Sequence, residues 1–412
     1  MKELLSDLRV RRLLLANITG SVGSGVTIIA VPWLLVQRPG GDRLYGYVTI
    51  AITIAVFALI PHYGAWLDRH SRKLALLIGE GFGAITTLTM ATWIALAGHA
   101  ETWQFLVLYA GGMLYYTLHF PAKAAFVQQI FDKKHYKQLI GLMEIQGQTA
   151  SIISGGAASM MLDRVPIYLI LFADAATYII SFIVQSTIPY RATHLEKEIP
   201  KESTIDSIKT GLRWLRDRPK FTLFIICTMA PFIAVMTGNY LFPIYVQNIL
   251  QAPAVVFGRG EIAFAFGAVL AGVLGPRLIN RYSAPNVAMV MMGIFICGLI
   301  LLGSLKSVTA FYIALVLVGL GGAGSRVSRS TVLYTEVPNE IMGRVNVTLS
   351  SVDRLLRTLL QFGAIYVVVK ADAAWAFIGL VLFVGIALIG AFQARHAISA
   401  LDPSLHSEAP KA

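Results

Sequence analysis

The chain has 412 residues, 56% of them hydrophobic and only 14% charged. A soluble domain carries about 25% charged residues, so this composition excludes an ordinary water-soluble enzyme and indicates a protein built into a bilayer. The net charge of +12 would suit nucleic acid, but the bases gather at the ends of apolar runs rather than in one basic patch, which argues against that partner.

In chain order, the opening residues up to Arg12 carry both signs of charge, and no small-residue cleavage site follows them. The first apolar run is therefore expected to be a retained helix and not a signal peptide. About twelve runs follow, each long enough to cross a hydrocarbon core of about 30 Å. Their limits are 12–37, 45–67, 74–98, 103–126, 138–162, 165–188, 221–247, 254–277, 286–304, 308–331, 344–369 and 373–394. Of the 34 Lys and Arg, 26 fall at span ends and loops of one side. Six fall on the other side (Arg38, Arg43, Arg164, Arg259, Lys306, Lys370), and Arg354 and Arg357 lie within a span. This inside-positive bias places both termini in the cytoplasm.

Between the second and third spans stands a charged turn with Gly64, Asp68, Arg69, His70, Arg72 and Lys73. The longest connection, 189–220, mixes bases with acids and is expected to hold an amphipathic helix from Ser203 to Arg218, with Ile205, Ile208, Leu212 and Leu215 on one face. It cuts the chain into a bundle of six spans over 1–190, a linker over 191–220, a second bundle over 221–395 and a disordered cytoplasmic tail over 396–412. The charged turn is echoed in the second half by Gly275, Arg277 and Arg281, with Asn280 where the acid stood.

The spacing of Gly64, Asp68, Arg69, Arg72 and Lys73 resembles the loop signature of the major facilitator superfamily of secondary transporters. Within it the chain looks like the branch of macrolide and enterobactin exporters, which are drug:proton antiporter-like. Supporting stretches are Ser21 to Gly25 with Pro32, Phe120-Pro121-Ala122, Asp174 to Tyr178, and Gly343-Arg344-Val345. One departure concerns direction: Gly155 and Gly156 of the fifth span lack the proline common in antiporters. The resemblance implies an all-α membrane protein of twelve transmembrane helices in two pseudo-symmetric six-helix bundles, with a substrate site between the halves near the midplane. It also implies a cytoplasmic latch of Gly64, Asp68, Arg69 and Arg72, with Arg344 at the start of the eleventh span as partner.

Polar side chains inside a bilayer are costly, so they are expected to face a wet cavity or another helix. In the eleventh span Asn346, Ser350, Asp353, Arg354, Arg357 and Gln361 recur at steps of three or four, a single polar stripe. Near its midpoint an unpaired charge costs about 2.5–3.5 kcal/mol on insertion scales. Two readings stand: a buried ion-pair network, or an anion site in which Arg354 or Arg357 grips a carboxylate through its planar fork. Arg326 of the tenth span is deep enough to join it, whereas Arg329 is expected to snorkel toward the cytoplasmic end. Tyr116 and His119 of the fourth span, Asn17 of the first, and Asn239 and Tyr240 of the seventh complete the candidate substrate-binding set, with Lys123 at the rim. The proton-coupling candidates are Asp353 and Glu144, then Glu80; Asp174 comes last, its expected role being helix packing.

The two cysteines, Cys227 and Cys297, both lie in apolar runs, so neither a disulfide framework nor a thiolate metal site is expected. The chain lacks a phosphate-binding Gly-Lys-Ser/Thr loop, so no ATP drive and no cofactor is expected. The expectation is a non-enzymatic, monomeric exporter in the bacterial inner membrane whose partners are protons, lipid and a small amphipathic molecule. The cationic surplus favours a carboxylate-bearing metabolite such as a siderophore. The alternatives are a multidrug or macrolide pump with a tolerant aromatic pocket (Tyr115, Tyr116, Tyr240, Phe242), and an uptake symporter or lipid-flipping relative.

Overall fold

The computed structural model describes residues 6–131, 136–162, 164–191 and 204–399. Among these residues the regular structure is helical, without strands. In chain order the helices are α1 (Leu8–Val36), α2 (Gly41–Arg69), α3 (Arg72–Ala97), α4 (Thr102–Ile130), α5 (Tyr136–Met161), α6 (Ile167–Ser186), α7 (Thr204–Arg216), α8 (Pro219–Ile244), α9 (Ala254–Tyr282), α10 (Ala284–Ser304), α11 (Val308–Glu336), α12 (Asn339–Lys370) and α13 (Ala373–Ser399). Each predicted span lies on one of the long helices, and α7 is the amphipathic helix expected in the linker. Eight helices are long and apolar enough to cross a membrane. That measure was met among the described residues alone, and twelve crossings stay an expectation.

Helix starts follow local chemistry. Asp7 caps α1 by accepting from the Arg9 amide, Ser71 caps α3 by accepting from Leu74, and Ser307 caps α11 by accepting from Ala310. Glu101 and Gln104 form a reciprocal capping box on α4. Pro219 opens α8, where a missing N–H costs nothing. Pro243 sits near the end of α8, and a single π-helical turn, Tyr245–Ile249, follows it. Large apolar side chains such as Ile85, Leu96, Leu382 and Ile386 are exposed, while Glu80, Asp174, Gln185 and Asp353 are buried. That inversion of the soluble pattern is what a lipid solvent requires.

The chain divides into two compact units. The first comprises Met1–Pro200 with Val246–Ile262, and the second Lys201–Tyr245 with Ala263–Ala412. In the first, Val10, Leu13, Leu76, Phe126, Ile130 and Ile188 form a core that ties α1, α3 and α4 to the end of α6. The segment 246–262 belongs with it: Trp33 stacks on Phe257 at 6.1 Å, and a Cβ on Gly155 would lie 2.8 Å from the Gly258 carbonyl. In the second, Phe242, Tyr245, Phe311 and Phe377 interlock as ring pairs joining α8, α11 and α13. There α9 and α11 pack backbone to backbone, because Gly267 faces the Val316 carbonyl and Gly319 faces the Phe264 carbonyl with no room for a side chain. Gly211 seats α7 on the start of α12, where a Cβ would lie 2.5 Å from the Arg344 carbonyl.

Candidate functional site

Two buried polar clusters stand out, one in each unit. In the first unit Glu80 projects from α3 and is 1% exposed. Residues three or four apart share a helix face, and the cluster is assembled from such pairs: Tyr115 and His119 on α4, Ser181 and Gln185 on α6. Gln185 Nε2 donates to Glu80 Oε1 at 2.8 Å, and the Tyr115 hydroxyl donates to the same oxygen at 3.1 Å. His119 Nδ1 lies 3.7 Å from that oxygen, and its ring packs on Tyr115 with centroids 4.9 Å apart. Gln185 also donates to Ser181 Oγ at 3.0 Å. Lys123, one turn beyond His119, is within electrostatic reach of Glu80. The close approach of α3 and α6 depends on Gly83, where a Cβ would lie 2.6 Å from the Tyr178 ring.

In the second unit Asp353 and Arg357 of α12 form an ion pair one turn apart, and the Arg357 guanidinium also covers the Phe232 ring of α8 at 5.1 Å. A cavity of about 170 Å³ opens beside them, lined by Met229, Phe232, Arg329, Asn346, Ser350 and Asp353 among others. Arg329 donates to the Thr228 carbonyl at 3.3 Å, which holds its head in this wall. Arg354 is within electrostatic reach of both Asp353 and Arg357. The arrangement offers cationic donors, one carboxylate and an apolar floor to a ligand's polar group.

The other candidates are scattered. Asn17 is buried, and its carbonyl accepts from Gln146 at 3.3 Å. Tyr240 is buried at 2% exposure, whereas Tyr116 is 60% exposed and Asn239 is exposed. Arg326 is half-buried on α11, within electrostatic reach of Arg329. The Glu144 side chain lies outside what the structure describes, as do Gly64 and the side chain of Asp68, although the backbone there is the last turns of α2. Arg69 is exposed. The charged signature is thus mostly helical, with only His70 and Ser71 between α2 and α3; its echo, Gly275 to Arg281, likewise falls inside α9.

The bases of the signature bond to carbonyls near helix ends. Arg72 donates to the Ala125 carbonyl at 2.8 Å, and Lys73 donates to the Ser186 and Ile188 carbonyls at 2.6 and 2.8 Å. Arg9 and Arg12 of α1 do the same for Ile130 at 2.9 Å and Thr187 at 2.6 Å. Three cations, Arg9, Arg12 and Lys73, therefore meet the negative ends of α4 and α6, and Arg72 bonds to α4 one turn further in. Arg344 contributes its carbonyl to Thr348 Oγ1 at 3.0 Å and to the seat of α7.

Sequence reasoning missed Gln185 and set Arg329 aside. Gln185 carried a signal, an amide inside an apolar helix; Arg329 carried none, because its place in the cavity wall depends on α8.

Comparison with known proteins adds the following. A family model described as the Major Facilitator Superfamily matches residues 13–360. The chain is 22% identical over 340 residues to an uncharacterized MFS-type transporter, YfiS, of Bacillus subtilis, covering 81% of this chain and 80% of that protein. It is 21% identical to macrolide efflux protein A of Streptococcus pyogenes, covering 79% and 80%. It is also 21% identical to the multidrug efflux pump Tap of Mycolicibacterium fortuitum, covering 81% and 82%. A crystal structure of the nucleoside transporter NupG superposes with a TM-score of 0.71 at 16% identity, covering 95% of this chain and 100% of that one, which speaks to the fold alone.

Proposed function

We propose, for a chain that belongs to the Major Facilitator Superfamily, that it exports small amphipathic molecules across the bacterial inner membrane by proton-coupled alternating access. It is a multi-pass membrane transporter, and its relatives include macrolide and multidrug efflux proteins. The observation that carries the substrate reading is the second-unit cavity, where Met229 and Phe232 stand beside Arg329, Ser350 and Asp353. About 170 Å³ is below the usual 300–1,000 Å³ of a ligand pocket. The cavity therefore suits one polar group of a larger molecule whose apolar body lies elsewhere.

A tolerant drug pump is favoured over a dedicated siderophore exporter, because one of the cations read from sequence as an anion grip, Arg357, is already engaged by Asp353 and Phe232. A carboxylate-bearing substrate stays as the second reading, supported by Arg329 and Arg354 beside a single Asp353. For the proton, Glu80 is the carrier we propose. Its carboxylate takes hydrogen bonds from the neutral donors Tyr115 and Gln185, with Lys123 only within electrostatic reach, whereas Asp353 is directly paired with Arg357.

A deletion strain and an overexpressing strain test the reading with a panel of macrolides and other amphipathic drugs, alongside a siderophore assay of the medium. Raised resistance that is lost with Asp353→Asn supports drug export. Unchanged susceptibility with altered siderophore secretion supports the second reading. No difference in either, with the protein present in the membrane, refutes export of both classes.

A further inference from the structure

A further buried carboxylate lies beside the first cluster, across the Tyr115–Tyr178 ring pair. Asp174 of α6 is 2% exposed, and its Oδ2 has no hydrogen-bond partner. Its other oxygen is 3.4 Å from Thr177 Oγ1, a hydroxyl that already donates to the Asp174 carbonyl at 2.7 Å. Across from it on α1, the buried Thr27 hydroxyl faces this carboxylate, close enough to interact with it though short of full hydrogen-bond geometry. Both residues line one cavity of about 40 Å³, whose walls add the hydroxyls of Ser24, Thr87, Tyr109 and Tyr178. Gly23 brings the α1 backbone against the carboxylate, for a Cβ there would lie 2.7 Å from Asp174 Oδ1.

Charge is the informative part. Among the described residues, no Lys, Arg or His lines this cavity. Glu80, another buried carboxylate of this unit, has its own neighbours in Tyr115, Gln185, His119 and Lys123. A carboxylate in an apolar setting without a countercharge is expensive. One carboxylate with several neutral hydroxyls is a hard-oxygen donor set of net charge −1, the kind that suits alkali and alkaline-earth ions rather than soft metals. A monovalent ion neutralises it, whereas a divalent one leaves excess charge in oil. A water needs roughly 10–15 Å³ of such space, so the cavity has room for one ion with a water or two.

We propose that α1, α3, α4 and α6 hold a small monovalent cation, with sodium as the probe ion, anchored by Asp174 and Thr27 inside the first unit. The site adjoins the Glu80 cluster through Tyr115, which lines the cavity and donates to Glu80, but its anchors are Asp174 and Thr27 and it does not require Glu80 to carry a proton. Occupancy would fasten α1 to α6 across Gly23, so binding would be read directly as added stability of the protein.

The test uses the full chain in detergent at about pH 8, well above the ordinary carboxylate range, where protons compete least. Radioactive sodium binding is measured by equilibrium dialysis. Thermal unfolding is followed in NaCl, LiCl, KCl and choline chloride at equal ionic strength. Wild type is expected to bind one sodium ion and to melt higher in NaCl than in choline chloride. Asp174→Asn is expected to abolish both effects, Thr27→Val to weaken binding about tenfold or more, a cost of about 1.4 kcal/mol, and Glu80→Gln to keep both. If Asp174→Asn does not fold, Thr27→Val and Thr87→Val carry the comparison. A wild type indifferent to sodium overturns the proposal and leaves Asp174 as a protonated packing residue. Sodium binding that persists unchanged in the Asp174 and Thr27 variants also overturns it. Glu80→Gln that binds sodium yet loses proton movement separates this site from the proton reading.

Discussion

The Gln185 side-chain amide donates to Glu80 at 2.8 Å and so joins α6 to α3 inside the first unit. Two neutral donors, Gln185 and Tyr115, converge on one carboxylate oxygen while the other, Oε2, has none. Removing a donor and removing the charge should therefore have opposite consequences.

Gln185→Leu removes the nearest donor to Glu80 and is expected to cost about 1–3 kcal/mol, the penalty of under-satisfying a buried polar group. Glu80→Gln keeps the shape and should leave the melting temperature close to wild type while abolishing substrate-triggered proton movement in everted vesicles. Thermal melts and a pH-sensitive dye separate the two outcomes. Proton movement that survives in Glu80→Gln would discard Glu80 as the carrier.

Asp353 and Arg357 form a pair whose members lie one turn apart on α12. Arg357→Ala is expected to destabilise by about 1–3 kcal/mol, less than for a fully buried pair because the guanidinium is partly exposed. Adding Asp353→Ala should recover part of that loss, since the orphaned carboxylate is removed. Thermal unfolding of the two single variants and the double variant gives the coupling; strict additivity would show that the pair contributes nothing.

Gly319 and Gly267 let α9 and α11 touch through their backbones. Gly319→Val should push the helices apart and lower stability by about 1–3 kcal/mol or more, seen as a lower yield of monodisperse protein. Gly363 of α12 has open space around it. Gly363→Ala is the control and should behave like wild type.

At the start of α1, hydrogen bonds from Arg9 hold the Asp7 carboxyl below the usual carboxylate range. The lowered folded value means that its contribution is present above the unfolded pKa and is lost as pH falls through the folded one. Asp7→Asn should therefore melt lower than wild type near neutrality, and the gap should close in acid. A gap that widens toward low pH would contradict this.

The long helices were legible because apolar runs of bilayer length have no other stable home, and their ends were legible where Ser71, Ser307 and Pro219 mark them. The α12 stripe was legible too, since steps of three or four place Asp353 and Arg357 on one face. What could not be read was tertiary. Arg329 looked like a snorkelling base until the Thr228 carbonyl of α8 fixed its head. Asp174 and Thr27 lie far apart in sequence, each one of several polar residues in its helix, and packing at Gly23 brings those helices together. Residues 246–262 follow the linker in sequence yet cluster with the first unit, because Gly155 and Trp33 receive them.

Arg9 and Lys73 close the ends of α4 and α6. Positive charge on this rim is consequently not interchangeable. A rearranged chain with the same number of bases moved a few positions along would satisfy the rule that orients helices during insertion, yet leave those carbonyls bare. Such a protein would enter the bilayer the right way round and then fray at the ends of α4 and α6.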